Sequence, residues 1–303
     1  HLEEINNLPR LTEKSVAYIK ERAKSPEQPF FLYVPLGSPH APIVPTKEWQ
    51  GKSGLNAHAD FVMQTDATVG AISDALEENG FSDNTLFIFT SDNGTSKGAN
   101  IAELREKGHH VSAHFRGSKA DIWDGGHRVP FVVRWPGKVE PGSRCDQLIT
   151  LVDFFATASE ITGEKAPEIA EDSVSFLPAL SGKPIVSTRK GVIHHSISGH
   201  FAYRQGKWKL LLARGSGGWS SPKERDPVSK AAPEAQLYDM EKDPSEQNNL
   251  YLTHPEIAEK LLADLTSDVE RGRSTDGPEA KNDVKNIILW KSGRGTLRKR
   301  SKQ

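Results

Sequence analysis

The feature that most constrains this chain is the run Thr85-Leu86-Phe87-Ile88-Phe89-Thr90, which ends abruptly in Ser91-Asp92-Asn93-Gly94. An apolar, aromatic and β-branched run bounded by turn residues is a buried strand. Such a strand holds rigidly whatever follows it, and open α/β sheets bind ligands beyond the carboxyl ends of their strands. Asp92 and Asn93 are therefore candidate oxygen ligands for a hard cation. The same residues also describe an ordinary Asn-Gly turn after a strand, and at this level both readings stand.

The flanking patterns extend the α/β reading. A helical pattern runs from Thr12 to about Lys24, with Thr12 as N-cap and Pro26 and Pro29 as stops. Phe30-Phe31-Leu32-Tyr33-Val34 is a second buried strand, leading into Gly37-Ser38-Pro39-His40-Ala41-Pro42. Val62, Thr65, Val69, Ile72 and Leu76 then fall three and four apart on one helical face, closed by Gly80. Strand, helix and strand in succession predict a parallel βαβ unit. After a polar stretch from Thr95 to His114 come a strand at Phe131–Trp135 and a helix from Leu148 to Thr162.

Beyond Ser187 the rhythm changes to short strands at Gly191–His195, Phe201–Arg204, Lys207–Leu212 and Gln236–Asp239. These predict a small antiparallel sheet. Thr253-His254-Pro255-Glu256 has capping-box spacing, and Ile257, Leu261, Leu265 and Val269 line the helix it would start. Residues from Arg214 to Pro233 have the composition of a flexible loop, and those after about Arg271 of an extended or partly disordered tail. The expected divisions are residues 1–186, 187–285 and a basic tail at 286–303.

Composition excludes some functions. A formal net charge of -1 gives no electrostatic case for nucleic acid or an anionic membrane. No apolar run is long enough to span a bilayer, and the first residues carry no signal-peptide pattern. The single cysteine, Cys145, cannot form an intrachain disulfide and has no obvious neighbouring base.

Three motifs carry chemistry. His40 sits between Pro39 and Pro42, which fix the backbone and leave the imidazole available as proton donor or anion contact; a surface-loop histidine is the equal alternative. Asp92 and Asn93 suit calcium or magnesium, but two adjacent ligands cannot fill a shell of six or more. In Arg116-Gly117-Ser118-Lys119 through Asp124-Gly125-Gly126-His127-Arg128, Gly117 permits close backbone approach and Lys119 offers a compact charge for an anion. Arg116, Asp124 and Arg128 are read as structural, and His114 as a residue facing substrate.

The joint order of Pro39-His40-Ala41-Pro42, Asp66-Ala67-Thr68-Val69-Gly70, Ser91-Asp92-Asn93-Gly94, Arg116-Gly117-Ser118-Lys119 and Gly125-Gly126-His127-Arg128-Val129-Pro130 closely resembles the formylglycine-dependent sulfatases of arylsulfatase A type. Tyr203 to Leu210, Leu237 to Leu250 and His254-Pro255-Glu256 resemble that family's carboxyl-terminal subdomain. The resemblance spans roughly residues 10 to 285. It implies an alkaline-phosphatase-like α/β sheet with flanking helices, incomplete at its N-terminal side, plus a small C-terminal antiparallel sheet with a helix.

It further implies a sulfuric ester hydrolase acting on sulfated carbohydrates or aryl sulfates, in the periplasm or outside the cell. Ca2+ would be held in part by Asp92 and Asn93; His40 would contact the sulfate and assist the leaving oxygen, and Lys119 would bind a sulfate oxygen. The family's Cys or Ser-x-Pro-x-Arg motif, source of the formylglycine, is absent, as are its early paired Asp ligands. The expectation is therefore a carboxyl-terminal part, inactive alone. Two other readings keep part of this picture. One is a phosphate mono- or diester hydrolase. The other is a non-catalytic carbohydrate-binding protein with Trp219, His194, His195 and His200 on a sugar-binding rim.

Overall fold

The computed structural model describes residues 3–291. Residues 292–303, most of the expected basic tail, lie outside that range. The chain forms two compact units, the first comprising residues up to 91, 95–113 and 130–141, the second 92–94, 114–129 and 142 onward. The predicted 187–285 subdomain falls wholly within the second unit.

In the first unit, α1 (Asn7–Arg22) packs against α2 (Ala57–Glu78), and β1 (Phe87–Thr90) pairs with β2 (Phe131–Arg134); a short α3 spans Ile101–Glu106. Helix α1 starts earlier than the sequence suggests. Thr12 is not its N-cap but lies inside it, donating its hydroxyl to the Leu8 carbonyl at 2.9 Å. The buried face of α2 carries Phe61, Thr65, Thr68, Ile72, Ala75 and Leu76, rotated from the expected one so that Val62 is exposed.

The expected parallel βαβ unit does not form among the described residues. β1 runs antiparallel to β2, with Phe87 opposite Arg134 and Thr90 opposite Phe131, and residues 30–34 join no ladder. Phe30, Leu32 and Val34 nevertheless keep a strand's alternation, turning onto the core of Ile19, Ile72, Ala75 and Leu76. Their neighbours Phe31 and Tyr33 are 71% and 74% exposed. The uniformly apolar run thus predicts neither the exposed face nor the absence of a strand alongside.

In the second unit, α4 (Asp124–His127), α5 (Asp153–Thr162) and α6 (Leu177–Leu180) precede a four-stranded antiparallel sheet. Its strands are β3 (Val192–His195), β4 (Phe201–Gln205), β5 (Trp208–Leu211) and β6 (Gln236–Asp239), in that order. α7 (Pro227–Ala231) interrupts the last connection, and α8 (Pro255–Arg271) closes the sheet. The expected capping box is not made: His254 is the N-cap and gives no side-chain cap, while the Thr253 hydroxyl donates to Leu250 O.

The period-two alternation of β4, β5 and β6 assigns each sheet face its partner. Tyr203, Leu210 and Leu237 point to one face, where Ala258, Leu261 and Leu265 of α8 cover them. Ala202, Leu211 and Tyr238 point to the other, where Ile122 and Trp123 cover them. Each large side chain so buried contributes about 1.5–3 kcal/mol. Leu289 also enters the α8-side core, so at least part of the segment after Arg271, expected to be extended or disordered, is packed. This arrangement mounts the segment just after Lys119 directly on a sheet.

Candidate active site

Asp92, Asn93, His114 and Lys119 lie in the second unit, and His40 lies in the first. In the second unit, the Asp92-Asn93-Gly94 turn and the Lys119 segment are joined through backbone. Gly94 N donates to Gly126 O at 3.0 Å, and Gly125 N donates to Arg116 O at 2.7 Å. The contact requires glycine: a Cβ on Gly94 would stand 1.9 Å from the Gly125 carbonyl oxygen, and one on Gly125 would stand 2.3 Å from that of Gly117. Asp92 is exposed and Asn93 half-buried, so an exposed carboxylate and an amide are presented at the end of this turn.

Beneath the two glycines lies a buried charge cluster. Lys209, on the β5 face shared with Leu211, has no exposed surface, and its Nζ donates to Asp124 Oδ1 at 2.6 Å and Glu246 Oε1 at 2.8 Å. Glu246 Oε2 accepts the Asp124 amide at 2.7 Å, pinning the first residue of α4. Burial pushes the Asp124 carboxyl up, but Lys209, Arg204 and Arg128 together bring it below the usual carboxylate range. Burial raises Glu246 above that range, Lys209 offsetting only part of the rise and Asp124 adding to it. Arg116 stacks on Trp123 at 3.8 Å and donates to Glu246 O at 2.8 Å, and Arg128 Nη1 lies 3.9 Å from Asp124 Oδ2. Arg116, Asp124 and Arg128 thus have the structural contacts read for them.

The sequence reading assigned no role to Lys209 or Glu246. One signal for Lys209 was present: a lysine at the inward parity of a strand otherwise made of leucines and aromatics. Glu246 lies within the Leu237–Leu250 stretch that carries the family resemblance, which gives it no role of its own.

His114 is exposed and packs its ring 4.2 Å from that of Phe115. Of the sugar-binding rim expected from Trp219, His194, His195 and His200, two histidines are engaged within the unit instead. His200 is buried with Nδ1 3.0 Å from Leu212 O, while His194 is stacked 4.3 Å from His127 and bonded to Ile122 O. The loop expected to be flexible from Arg214 is held by its own hydrogen bonds. Glu224 accepts the amides of Arg214 and Gly215 at 2.9 and 2.7 Å.

In the first unit, His40 is exposed on a turn fixed by His40 N bonding Gly37 O at 3.1 Å and Thr65 Oγ1 donating to Ser38 Oγ at 2.8 Å. Its Nδ1 lies 2.7 Å from Ala41 O. A carbonyl only accepts, so Nδ1 carries the proton and Nε2 is the ring atom left for a substrate. Donation from Nε2 then requires the imidazolium form.

Asp and Asn side-chain oxygens are the donor type a hard cation takes. Among the described residues, however, no cluster of three or more His, Cys, Asp or Glu side chains could hold a metal alone. Asp92 and Asn93 could therefore supply only part of a calcium shell.

The sulfatase family profile matches residues 9–164, and the chain belongs to the sulfatase family. It is 34% identical over 261 residues to an N-acetylgalactosamine-6-O-sulfatase of Bacteroides thetaiotaomicron, covering 85% of this chain and 50% of that protein. Human arylsulfatase A is 30% identical over 258 residues, covering 80% of this chain and 49% of the relative. A solved B. thetaiotaomicron structure, described in connection with metabolism of multiple glycosaminoglycans, superposes with a TM-score of 0.77 at 33% identity over 89% of this chain and 55% of its own. The chain spans about half the length of the curated relatives it matches.

Proposed function

We propose that this chain forms part of an enzyme that hydrolyses sulfate esters of carbohydrates, with Lys119 and His40 contacting the sulfate and Asp92 and Asn93 binding calcium. The observation that carries this reading is the stitching of the Asp92 turn to the Lys119 segment through Gly94, Gly125 and Gly126, in a chain of the sulfatase family. It supports one preformed, oxygen-rich and cationic locus, which suits an anionic ester.

Calcium, when bound, would supply positive charge against the sulfate oxygens. Lys119 adds a fixed cation for one of those oxygens and orients the group. The Nε2–H of His40 in its imidazolium form donates a proton to the bridging oxygen, turning an alkoxide leaving group into an alcohol. The Cys or Ser-x-Pro-x-Arg source of a formylglycine nucleophile does not occur in residues 1–303, and no residue of this chain is assigned that role. A carbohydrate ester is favoured because the N-acetylgalactosamine-6-O-sulfatase relative matches across 85% of the chain. A periplasmic or extracellular location accompanies this reading, since sulfated polysaccharides are met outside the cell. Among the described residues no helix is long and apolar enough to cross a membrane.

The test uses the intact gene product containing this chain, offered matched aryl sulfate and aryl phosphate esters. Sulfate release that is lost on chelation and restored by calcium is expected. Preference for the phosphate ester, or indifference to calcium, defeats the proposal.

A further inference from the structure

The turn that carries Lys119 is strained and clamped. Ala120 adopts φ 81°, the left-handed region that a residue with a Cβ enters only when its surroundings impose it. A buried carboxylate and a glycine-rich loop impose it here. Asp121 has no exposed surface; its Oδ2 accepts Ser118 N at 2.9 Å, on the near side of Lys119. Its Oδ1 accepts the amides of Trp219 and Ser220 at 2.9 Å each, 98 and 99 residues away in sequence, and the Ser220 hydroxyl donates to Oδ2.

The loop also meets the turn through backbone. Ile122 N donates to Ser216 O at 2.8 Å, and a Cβ on Gly218 would stand 2.3 Å from Ala120 O. Gly217, at φ 62°, lets the chain pass Ser196, and Ile197 N closes the other side by donating to Ala120 O at 3.0 Å. One carboxylate therefore sets both the conformation beside Lys119 and the position of the segment bearing Trp219.

We propose that Asp121 is a positioning residue that couples loop 215–221 to the Lys119 turn, so that the loop holds the backbone beside Lys119 in place for the sulfate. This rests on Lys119 as the sulfate contact.

Two measurements test the two halves. In this chain, Asp121→Asn turns an N–H pair toward the Ser118 amide, and amide hydrogen exchange should rise about tenfold or more at Ser118 and at residues 219–220 together. Ser220→Ala, a milder change, should raise exchange at the same two segments to a lesser degree. A rise at only one segment, or at neither, overturns the coupling.

In the intact gene product, Asp121→Asn should raise KM for an aryl sulfate about tenfold with kcat within about threefold, and Asp121→Glu should recover part of the loss. An unchanged KM, or a loss of kcat with KM unchanged, overturns the positioning. A parent inactive on the aryl sulfate defeats the sulfatase reading and the positioning with it, whereas the exchange experiment decides the clamp independently.

Discussion

The four-stranded sheet β3–β6 and the two-stranded ladder β1–β2 bury their apolar residues to different extents. The first is covered on both faces from within its own unit, by α8 on one side and by Ile122 and Trp123 on the other. In the second unit even a lysine is fully enclosed, satisfied by two carboxylates. In the first unit, Val132 of β2 is 59% exposed, and Phe31 and Tyr33 more so. Elements of similar composition thus differ in what substitution should cost: the second unit is held by interlocked charge and core, while these side chains of the first contribute little to this chain's own stability.

Lys209→Met is the strongest way to break that contrast, because it leaves Asp124 and Glu246 buried without their shared cation. A loss of about 3–5 kcal/mol in the unfolding free energy of the second unit is expected. Denaturant unfolding followed by tryptophan fluorescence would measure it, and a loss below about 1 kcal/mol would show the cluster to be dispensable.

Acid gives the next largest effect. Burial, then the charge of Lys209, lowers His127 to about 4 from an ordinary 6.5. Burial first also lowers His194 and His195. The folded state keeps these rings neutral while the unfolded chain takes up protons. Their contribution is therefore complete above about pH 6.5 and lost as pH falls toward 4, on the order of 3 kcal/mol for His127. Unfolding midpoints recorded across that window should fall with pH, and His127→Gln should flatten the slope. An unchanged slope contradicts the assignment.

Val132→Thr in the first unit should change stability by no more than about 0.5 kcal/mol. A cost several times larger, measured by the same unfolding curves, would erase the contrast between the two regions.

Legibility in the sequence followed the same divide. The strands of the second sheet were readable to within one residue at each end, and β6 at both ends without error, because turn residues bound short apolar runs, which the sheet buries on both faces. In the first unit the continuous apolar run 30–34 read as a buried strand and yet joins no ladder and exposes Phe31 and Tyr33, since pairing and cover depend on neighbours that the run does not name. Thr12 looked like a cap because capping residues also serve inside helices, bonding back to the preceding turn.

At the candidate site, the motifs pointed to Asp92, Asn93 and Lys119, which the second unit contains together, whereas His40 belongs to the other unit. Lys209, Glu246 and Asp121 went unassigned because each acts on partners far away in sequence, 85 residues for Lys209 with Asp124 and 98 for Asp121 with Trp219. No local spacing encodes such pairs.

The central claim is that the Lys119 turn is the sulfate-binding part of a sulfatase. Its most direct test is the steady-state hydrolysis of an aryl sulfate by the intact gene product carrying Lys119→Ala, with folding checked by its unfolding midpoint. We predict that kcat/KM falls by roughly 10²–10³ while the midpoint holds. Activity within about twofold of the parent would contradict the account.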